Sequence, residues 1–112
     1  MTAGHAGASD LNPVFAEAAQ EKGWIMGVGS QRRELFDSSI SSEWLQVRKV
    51  APRAVMLANL GISQLITAEI SQVERLAEVI EASGIIIHLN SLQECLQTEG
   101  TPQFRGGLKA IE

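Results

Sequence analysis

Three short apolar runs alternate with amphipathic segments along this chain. The runs are WIMGVG, AVMLANLG and GIIIHL, and each contains at most one polar residue. An apolar run of about four to eight residues is typical of a strand that is buried on both faces. Strands that alternate with helical segments indicate βα units, so the chain is predicted to be an α/β protein with about three parallel strands and flanking helices.

A first helix is predicted over PVFAEAAQEK, before the first apolar run. Asn12 is suited to the N-cap, Pro13 to the first helical position and Gly23 to the C-cap. The polar segment SQRRELFDSS, which follows the first run, is predicted to be a loop with a helical turn at RRELF. The apolar face of the first helix is expected to consist of Val14, Phe15, Ala18 and Ala19.

Two further helices are delimited by capping residues and prolines. Ser42 is the expected N-cap of the segment EWLQVRKV, and Pro52 is expected to end that helix. Thr101 and Pro102 are an N-cap and first helical residue for a last helix through FRGGLKAIE.

The longest predicted helix lies between the second and third apolar runs. Thr67 is expected to open it, Ser71 and Glu74 form a possible capping box one turn further in, and Gly84 is the expected cap at its end. Its apolar stripe comprises Ile70, Val73, Leu76, Ala77 and Ile80.

A fixed spacing of polar residues extends this prediction to a fold. Ser30, Asn59 and His88 each follow or end an apolar run, and each lies 29 residues after the one before. Such a period, with polar residues at the carboxyl ends of strands, is the arrangement of a (β/α)8 TIM barrel, whose active site is built from the loops after the strands. A doubly wound open sheet gives similar local patterns and is the alternative.

The length of the chain fits only part of a barrel. A whole barrel takes about 250 residues, whereas this chain has 112 residues. The opening MTAG resembles the loop after a strand that is not in the chain. Residues 1–112 are therefore predicted to be an internal segment of one TIM-barrel domain that is incomplete at both ends.

Composition excludes several classes of protein. A net charge of −4 and a pI of about 5.1 argue against sequence-independent nucleic-acid binding, which needs a basic face. No run of about 18 apolar residues predicts a membrane span, and the N-terminal residues do not have the pattern of a signal peptide. The single cysteine, Cys95, excludes an internal disulfide. A cytoplasmic location is expected.

Several short motifs occur in a specific order: MTAG, GWIMGVGSQR, VRKVAP, ANLG, IHLNSLQE, QTEG and FRG. Together they resemble type 2 isopentenyl diphosphate isomerase, an FMN-dependent TIM barrel that interconverts isopentenyl and dimethylallyl diphosphate. The resemblance covers essentially all of the chain, which corresponds to roughly a third of a full-length member. It implies an enzyme of isoprenoid biosynthesis that uses FMN, Mg²⁺ and NAD(P)H as reductant, and that is a homo-oligomer when full length.

The resemblance also implies which residues bind the flavin. The family has an M-T-G-G loop around FMN, which corresponds here to Met1, Thr2 and Ala3. Ala3 replaces the usual glycine, and its methyl group matters only if the backbone there needs a positive φ or a very close approach. Ser30 and Asn59 are similar to the other flavin-contacting residues, and their hydroxyl and amide suit the polar edge of a flavin ring.

A second set of residues is implied for the substrate and the metal. Gln93 resembles the catalytic glutamine beside the reacting carbons, where a neutral amide can orient the substrate without taking its proton. Glu94 resembles the Mg²⁺ ligand, and one carboxylate suffices because Mg²⁺ also takes phosphate and water oxygens. The guanidinium of Arg32 offers a bidentate fork to a diphosphate. The implied substrate-binding residues are Ser30, Arg32, His88, Asn90 and Gln93.

Other interpretations remain open at this stage. Another FMN-dependent barrel, such as a 2-hydroxyacid oxidase or a dihydroorotate dehydrogenase relative, would explain the flavin loops, and a truncated, non-catalytic product would explain the length. The isolated fragment is expected to be inactive because the phosphate-binding loops of the late strands are missing. Taken singly, His88 is compatible with a satisfied core histidine, Asn59 with a turn residue, and Arg33 rather than Arg32 with the inward-pointing cation.

Overall fold

A three-stranded parallel sheet is central to the computed structural model, which describes residues 8–89 and 104–112. The strands are β1 (Ile25–Gly27), β2 (Val55–Gly61) and β3 (Gly84–His88). Strand β2 pairs with both neighbours, so the spatial order follows the chain order. The prediction of an α/β chain with three parallel strands and flanking helices is confirmed.

Six α-helices and one 3₁₀ turn connect and flank the strands within the described residues. None of these helices is long and apolar enough to cross a membrane. Their bounds are α1 Ala8–Lys22, α2 Arg32–Phe36, the 3₁₀ turn Ser38–Ile40, α3 Ser41–Val50, α4 Ile62–Thr67, α5 Ile70–Val79 and α6 Gly107–Ile111.

The main apolar core lies between one face of the sheet and the helices. Side chains alternate along a strand, so Met56 and Ala58 of β2 point to the same face of the sheet. Both belong to the first of two apolar clusters, which they form with helix residues. Leu60, two positions further on, packs in a second cluster with Leu35 and Leu76. The first cluster consists of Ala16, Val28, Trp44, Val47, Ala51, Ala54, Met56, Ala58 and Ile80.

By the same alternation, the intervening β2 residues point to the opposite face of the sheet. These residues are Val55, Leu57, Asn59 and Gly61. Ile25 of β1 and Val55 of β2, which are paired in register, are 66% and 43% exposed. We call this the open face, because α1, α3 and α5 supply their core residues to the other one.

Helix α1 differs from its prediction in both its start and its buried face. It begins at Ala8, so Pro13 lies inside it and Asn12 is not its N-cap. Ala16 and Ala19 are buried where α1 packs on α3 and β1, while three predicted core residues, Val14, Phe15 and Ala18, are exposed. Alanines permit the close approach of two helices, and this contact, which the sequence pattern does not show, decides which face is buried.

The segment between β2 and β3 forms two helices rather than one. Thr67 ends α4 instead of opening a helix, since Ala68 and Glu69 have extended backbone. The predicted capping box of Ser71 and Glu74 is wrong. Glu69 is the N-cap of α5, its side chain accepts from the backbone of Gln72, and Gln72 Oε1 accepts a 2.8 Å hydrogen bond from Glu69 N.

Other predicted boundaries shift by smaller amounts. Helix α5 ends at Val79, and Gly84 is the first residue of β3 rather than a helix cap. Ile70, assigned to the apolar stripe, is 77% exposed because it lies in the first turn of α5. The helical turn at RRELF is confirmed as α2. The last helix begins only at Gly107, and its predicted cap at Thr101 and Pro102 lies outside the described residues.

Candidate functional site at the carboxyl edge of the sheet

The carboxyl ends of the parallel strands bring together the predicted site residues that the structure describes. Gly61 of β2 is the register partner of His88 of β3, and Asn59 is the partner of Ile86. Asn59, Gly61 and His88 therefore share the open face of the sheet. The other predicted residues, Met1, Thr2, Ala3, Asn90, Gln93 and Glu94, lie outside the described residues.

Asn59 lies inside β2 and is only 2% exposed. Its backbone is held from the loop after β1: the N–H of Gln31 donates to the carbonyl of Asn59 at 2.9 Å, and the N–H of Asn59 donates to Gln31 Oε1 at 3.2 Å. The alternative of a turn residue is wrong, because Asn59 has strand backbone. Its side chain is placed next to the edge at which the loops meet.

Ser30 and Arg32 flank Gln31 in the loop that follows β1. Both side chains are half-buried, and Arg32 is the first residue of α2. Arg33 is exposed, which favours Arg32 as the arginine nearer the site. Ser30, Gln31 and Arg32 thus lie shortly after the end of β1, at the same edge of the sheet as Gly61, which ends β2.

Gly61 leaves room for two polar side chains. A Cβ atom at this position would overlap Gln64 Oε1 and would lie 3.0 Å from His88 Cε1. Any side chain at residue 61 would therefore displace the imidazole of His88 or the amide of Gln64. The half-buried imidazole of His88 therefore lies beside Gly61 of β2, at the carboxyl edge of the sheet.

Two buried polar atoms in this region have no hydrogen-bond partner within the described part of the chain. They are Ser63 Oγ and Gln64 Oε1, in residues that are 1% and 4% exposed. Buried polar atoms are rarely left unpaired in proteins, so both atoms are available to a further hydrogen-bonding partner. Neither of these residues, nor Gln31, is predicted from the sequence, because isolated amides and hydroxyls near a turn usually face solvent.

The buried carboxylate of Glu34 helps to hold α2, the helix that follows the loop after β1, against its neighbours. Glu34 of α2 is 5% exposed and its Oε1 accepts a hydrogen bond from Trp44 Nε1 of α3. Burial raises the pKa of Glu34, and the hydrogen bond from Trp44 acts in the opposite direction. The Glu34 carbonyl also accepts from Arg75 Nη2 of α5 at 3.2 Å. Helix α2, and with it Arg32, is thereby tied to both neighbouring helices.

Curated relatives match the sequence over its whole length, although no family model matches it. The chain is 50% identical over 112 residues to an isopentenyl-diphosphate delta-isomerase of Bdellovibrio bacteriovorus, 47% identical to one of Legionella pneumophila strain Paris, and 41% identical to one of Archaeoglobus fulgidus. The chain matches a segment of isopentenyl-diphosphate delta-isomerases. All of the chain is covered in each match, but only 32%, 33% and 32% of the respective relatives.

The match to delta-isomerases confirms the resemblance inferred from the motifs. It extends through the residues that the structure does not describe, including Asn90, Gln93 and Glu94. The chain spans about a third of the length of these isomerases. The individual roles of the site residues remain predictions that rest on the motifs.

Proposed function

We propose that this chain is part of a type 2 isopentenyl-diphosphate delta-isomerase, which interconverts isopentenyl and dimethylallyl diphosphate by an allylic proton shift. The observation that carries the proposal is the identity of 41–50% to proteins of that name over the whole chain. The polar residues at the carboxyl edge of a parallel sheet are consistent with it, because ligands bind at this edge in α/β folds.

The three strands are proposed to be successive βα units of a TIM barrel. In a doubly wound sheet helices cover both faces, whereas within residues 8–89 and 104–112 the helices α1, α3 and α5 supply their core residues to one face. The open face carries Asn59, Gly61 and His88 near its carboxyl end, and the exposed apolar residues Ile25 and Val55 nearer its amino end. In a barrel this face is the interior, where apolar layers fill the base and the site lies at the top.

The residues at this edge fit a flavin. Asn59 lies on the open face, the missing Cβ of Gly61 leaves room for the side chains of Gln64 and His88, and Ser63 Oγ and Gln64 Oε1 are buried atoms that can accept hydrogen bonds. We propose that Ser30 and Asn59 hold FMN, together with Met1, Thr2 and Ala3. When bound, the reduced flavin supplies the acid and base for the proton shift, with no net redox, and NAD(P)H serves as the reductant.

The remaining predicted residues are proposed to bind the substrate and Mg²⁺. Arg32, which begins α2 after β1, and His88, which ends β3, lie on either side of β2 at the carboxyl edge of the sheet. Both can donate hydrogen bonds to the diphosphate, as can Ser30 and Asn90. Gln93 orients the reacting carbons without competing for the proton, because an amide is not basic. Glu94 supplies a carboxylate oxygen to Mg²⁺, the ligand type that this ion prefers.

The 112-residue chain by itself is proposed to be inactive. Its relatives are about three times as long, and β1 and β3 each pair only with β2 among the described strands. Unpaired strand edges and exposed apolar residues on the open face favour association. A full-length protein is proposed to assemble as a homo-oligomer.

The test is an isomerase assay on a full-length protein that carries this chain, with isopentenyl diphosphate, FMN, a reductant and Mg²⁺. Gln93→Ala and Glu94→Ala are compared with Gln46→Ala and Glu78→Ala, which remove the same groups from exposed helix positions. We expect conversion to require flavin and metal, and to collapse only in the first pair. A flavin-binding protein that does not isomerise the substrate would instead favour another FMN-dependent barrel enzyme.

A further inference from the structure

The side chain of Gln31 is fully buried and uses both ends of its amide. Its Oε1 accepts a hydrogen bond from the backbone N–H of Asn59 in β2 at 3.2 Å. Its Nε2 donates to the carbonyl of Leu76 in α5 at 3.1 Å. These contacts join segments that are 28 and 45 residues away along the chain. One side chain therefore connects the loop after β1 to the central strand and to the helix behind it.

The backbone of Gln31 is fixed at the same point. Its N–H donates to the carbonyl of Asn59 at 2.9 Å, which extends the pairing of β1 with β2 beyond the last strand residue. Its own carbonyl accepts from the N–H of Glu34 at 3.1 Å and so begins α2. These two backbone bonds therefore fix the course of the chain from the end of β1 into α2.

We propose that Gln31 is a positioning residue that fixes Ser30 and Arg32 relative to Asn59. Ser30 and Arg32 are its immediate neighbours in the chain, and Asn59 is its hydrogen-bond partner through two separate bonds. Gln31 itself is turned away toward α5 and acts only through these residues. The inference rests on the proposed function, in which the neighbours bind FMN and the substrate diphosphate.

The chemistry of the two contacts requires a glutamine. Glutamate offers only acceptors when ionised, so it would keep the bond from the Asn59 N–H but would face the Leu76 carbonyl with a second acceptor. Methionine has a similar length but makes neither bond, and asparagine is shorter by one methylene. Gln31→Met therefore removes both side-chain bonds and leaves only the backbone bond to Asn59, whereas Gln31→Glu loses only the bond to Leu76.

The experiment compares Gln31→Met and Gln31→Glu in the full-length protein with Val47→Ala, a core truncation in α3 at a residue that is 2% exposed. The probe is inorganic pyrophosphate, whose dissociation constant is measured by calorimetry, and the mobility of residues 28–36 is followed by hydrogen exchange. We expect Gln31→Met to weaken pyrophosphate binding about 10- to 100-fold and to speed exchange in that segment. Gln31→Glu, which turns a carboxylate oxygen toward the Leu76 carbonyl in a fully buried place, is expected to speed exchange in the same segment. Val47→Ala is expected to lower the melting temperature without either effect.

Steady-state kinetics separate positioning from general destabilisation. A positioning role predicts that Gln31→Met raises KM for isopentenyl diphosphate at a temperature where Val47→Ala retains its KM. Equal changes in both variants at matched stability would overturn the proposal, and if Gln31→Met does not fold, the same comparison is made with Gln31→Asn, a neutral amide that is shorter by one methylene. A wild-type protein that neither binds pyrophosphate nor isomerises the substrate would refute the proposed function, and the exchange rates of residues 28–36 would then decide the positioning role alone.

Discussion

Trp44 Nε1 of α3 donates a hydrogen bond to the buried carboxylate of Glu34 in α2. The pair is 10 residues apart in the chain and connects the helix that carries Arg32 to the apolar core around Trp44. Glu34 Oε2, the second carboxylate oxygen, has no partner among the described residues. The single bond from Trp44 is therefore the main side-chain compensation for burying this group.

Removing the indole donor tests this relationship. Trp44→Phe keeps an aromatic ring in the core but leaves Glu34 without its hydrogen bond, and an unsatisfied buried acceptor costs about 1–3 kcal/mol. We expect a lower free energy of unfolding and a still higher pKa of Glu34, since the bond from Trp44 lowers that pKa. Urea denaturation measures the first effect. The exposed Trp24, changed to Phe in the same way, is the control and should leave stability unaltered.

The pH dependence of stability follows from the raised pKa of Glu34. The folded protein binds this proton more tightly than the unfolded chain, whose pKa is close to the ordinary value of 4.5. The stabilising contribution is thus fully present below pH 4.5 and is lost as the pH rises through the raised folded pKa. Glu34→Gln stays neutral and retains an acceptor for Trp44. It should be more stable than the wild type at a pH above the raised pKa of Glu34, and the difference in melting temperature should shrink on acidification.

An equal advantage of Glu34→Gln at all pH values would contradict this account, because the wild-type carboxyl group gives up its proton as the pH rises through the raised pKa. The ionisable neighbours that contribute are Arg33, which lowers the pKa, and Glu43, which raises it. Glu43→Gln therefore serves as the matched control. It removes an exposed carboxylate of the same length and should alter the pH profile only slightly.

The strands were predictable because their signal is local. WIMGVG, AVMLANLG and GIIIHL are apolar over a length that only a buried strand or a short buried helix explains, and all three contain the observed strands. The 29-residue spacing of Ser30, Asn59 and His88 also gave the carboxyl edge of the sheet. For Asn59 and His88 the sequence thus predicted the position near the carboxyl end of a strand that the structure shows.

Contacts between distant segments were not predictable in the same way. The exposure of Val14 and Phe15 depends on how α1 lies against α3, and the break at Ala68 depends on an extended backbone that no glycine or proline marks. Gln31 looks like an ordinary loop amide until the fold brings β2 and α5 beside it. Periodicity reports which residues share a face, but it does not report which face a neighbour covers.

The space above Gly61 gives a further prediction. A methyl group there would overlap Gln64 Oε1 and press on His88 Cε1 at 3.0 Å, while the backbone of Gly61 has an ordinary φ of −78°. Gly61→Ala should therefore act by displacing these side chains and, if the edge is the proposed site, should weaken the binding of FMN and pyrophosphate by the full-length protein. Fluorescence titration of FMN measures one and calorimetry the other.

Gly84→Ala is the matched control for Gly61→Ala. Gly84 begins β3 at the opposite end of the strand from His88, and a Cβ atom there would make only an ordinary 3.4 Å contact with Leu57 Cδ2. We expect Gly84→Ala to bind both ligands like the wild type. Equal affinities in the two alanine variants would show that the space above Gly61 is not part of the site.

Arg48 holds the ends of α3 and α5 together, and its replacement should destabilise the fold more than that of any exposed neighbour. Its guanidinium donates to the carbonyl of Ile80 at 2.9 Å from Nε and to that of Ala54 at 2.9 Å from Nη1. Arg48→Met keeps the aliphatic stem but leaves these carbonyls without the charged donor. Because hydrogen bonds to charged groups contribute about 1.5–3 kcal/mol, we expect the free energy of unfolding to fall by at least about that amount in urea denaturation.

Lys49→Met is the control, because Lys49 is one residue away and exposed. It should change the free energy of unfolding by less than about 0.5 kcal/mol, and similar losses in both variants would contradict the role of Arg48.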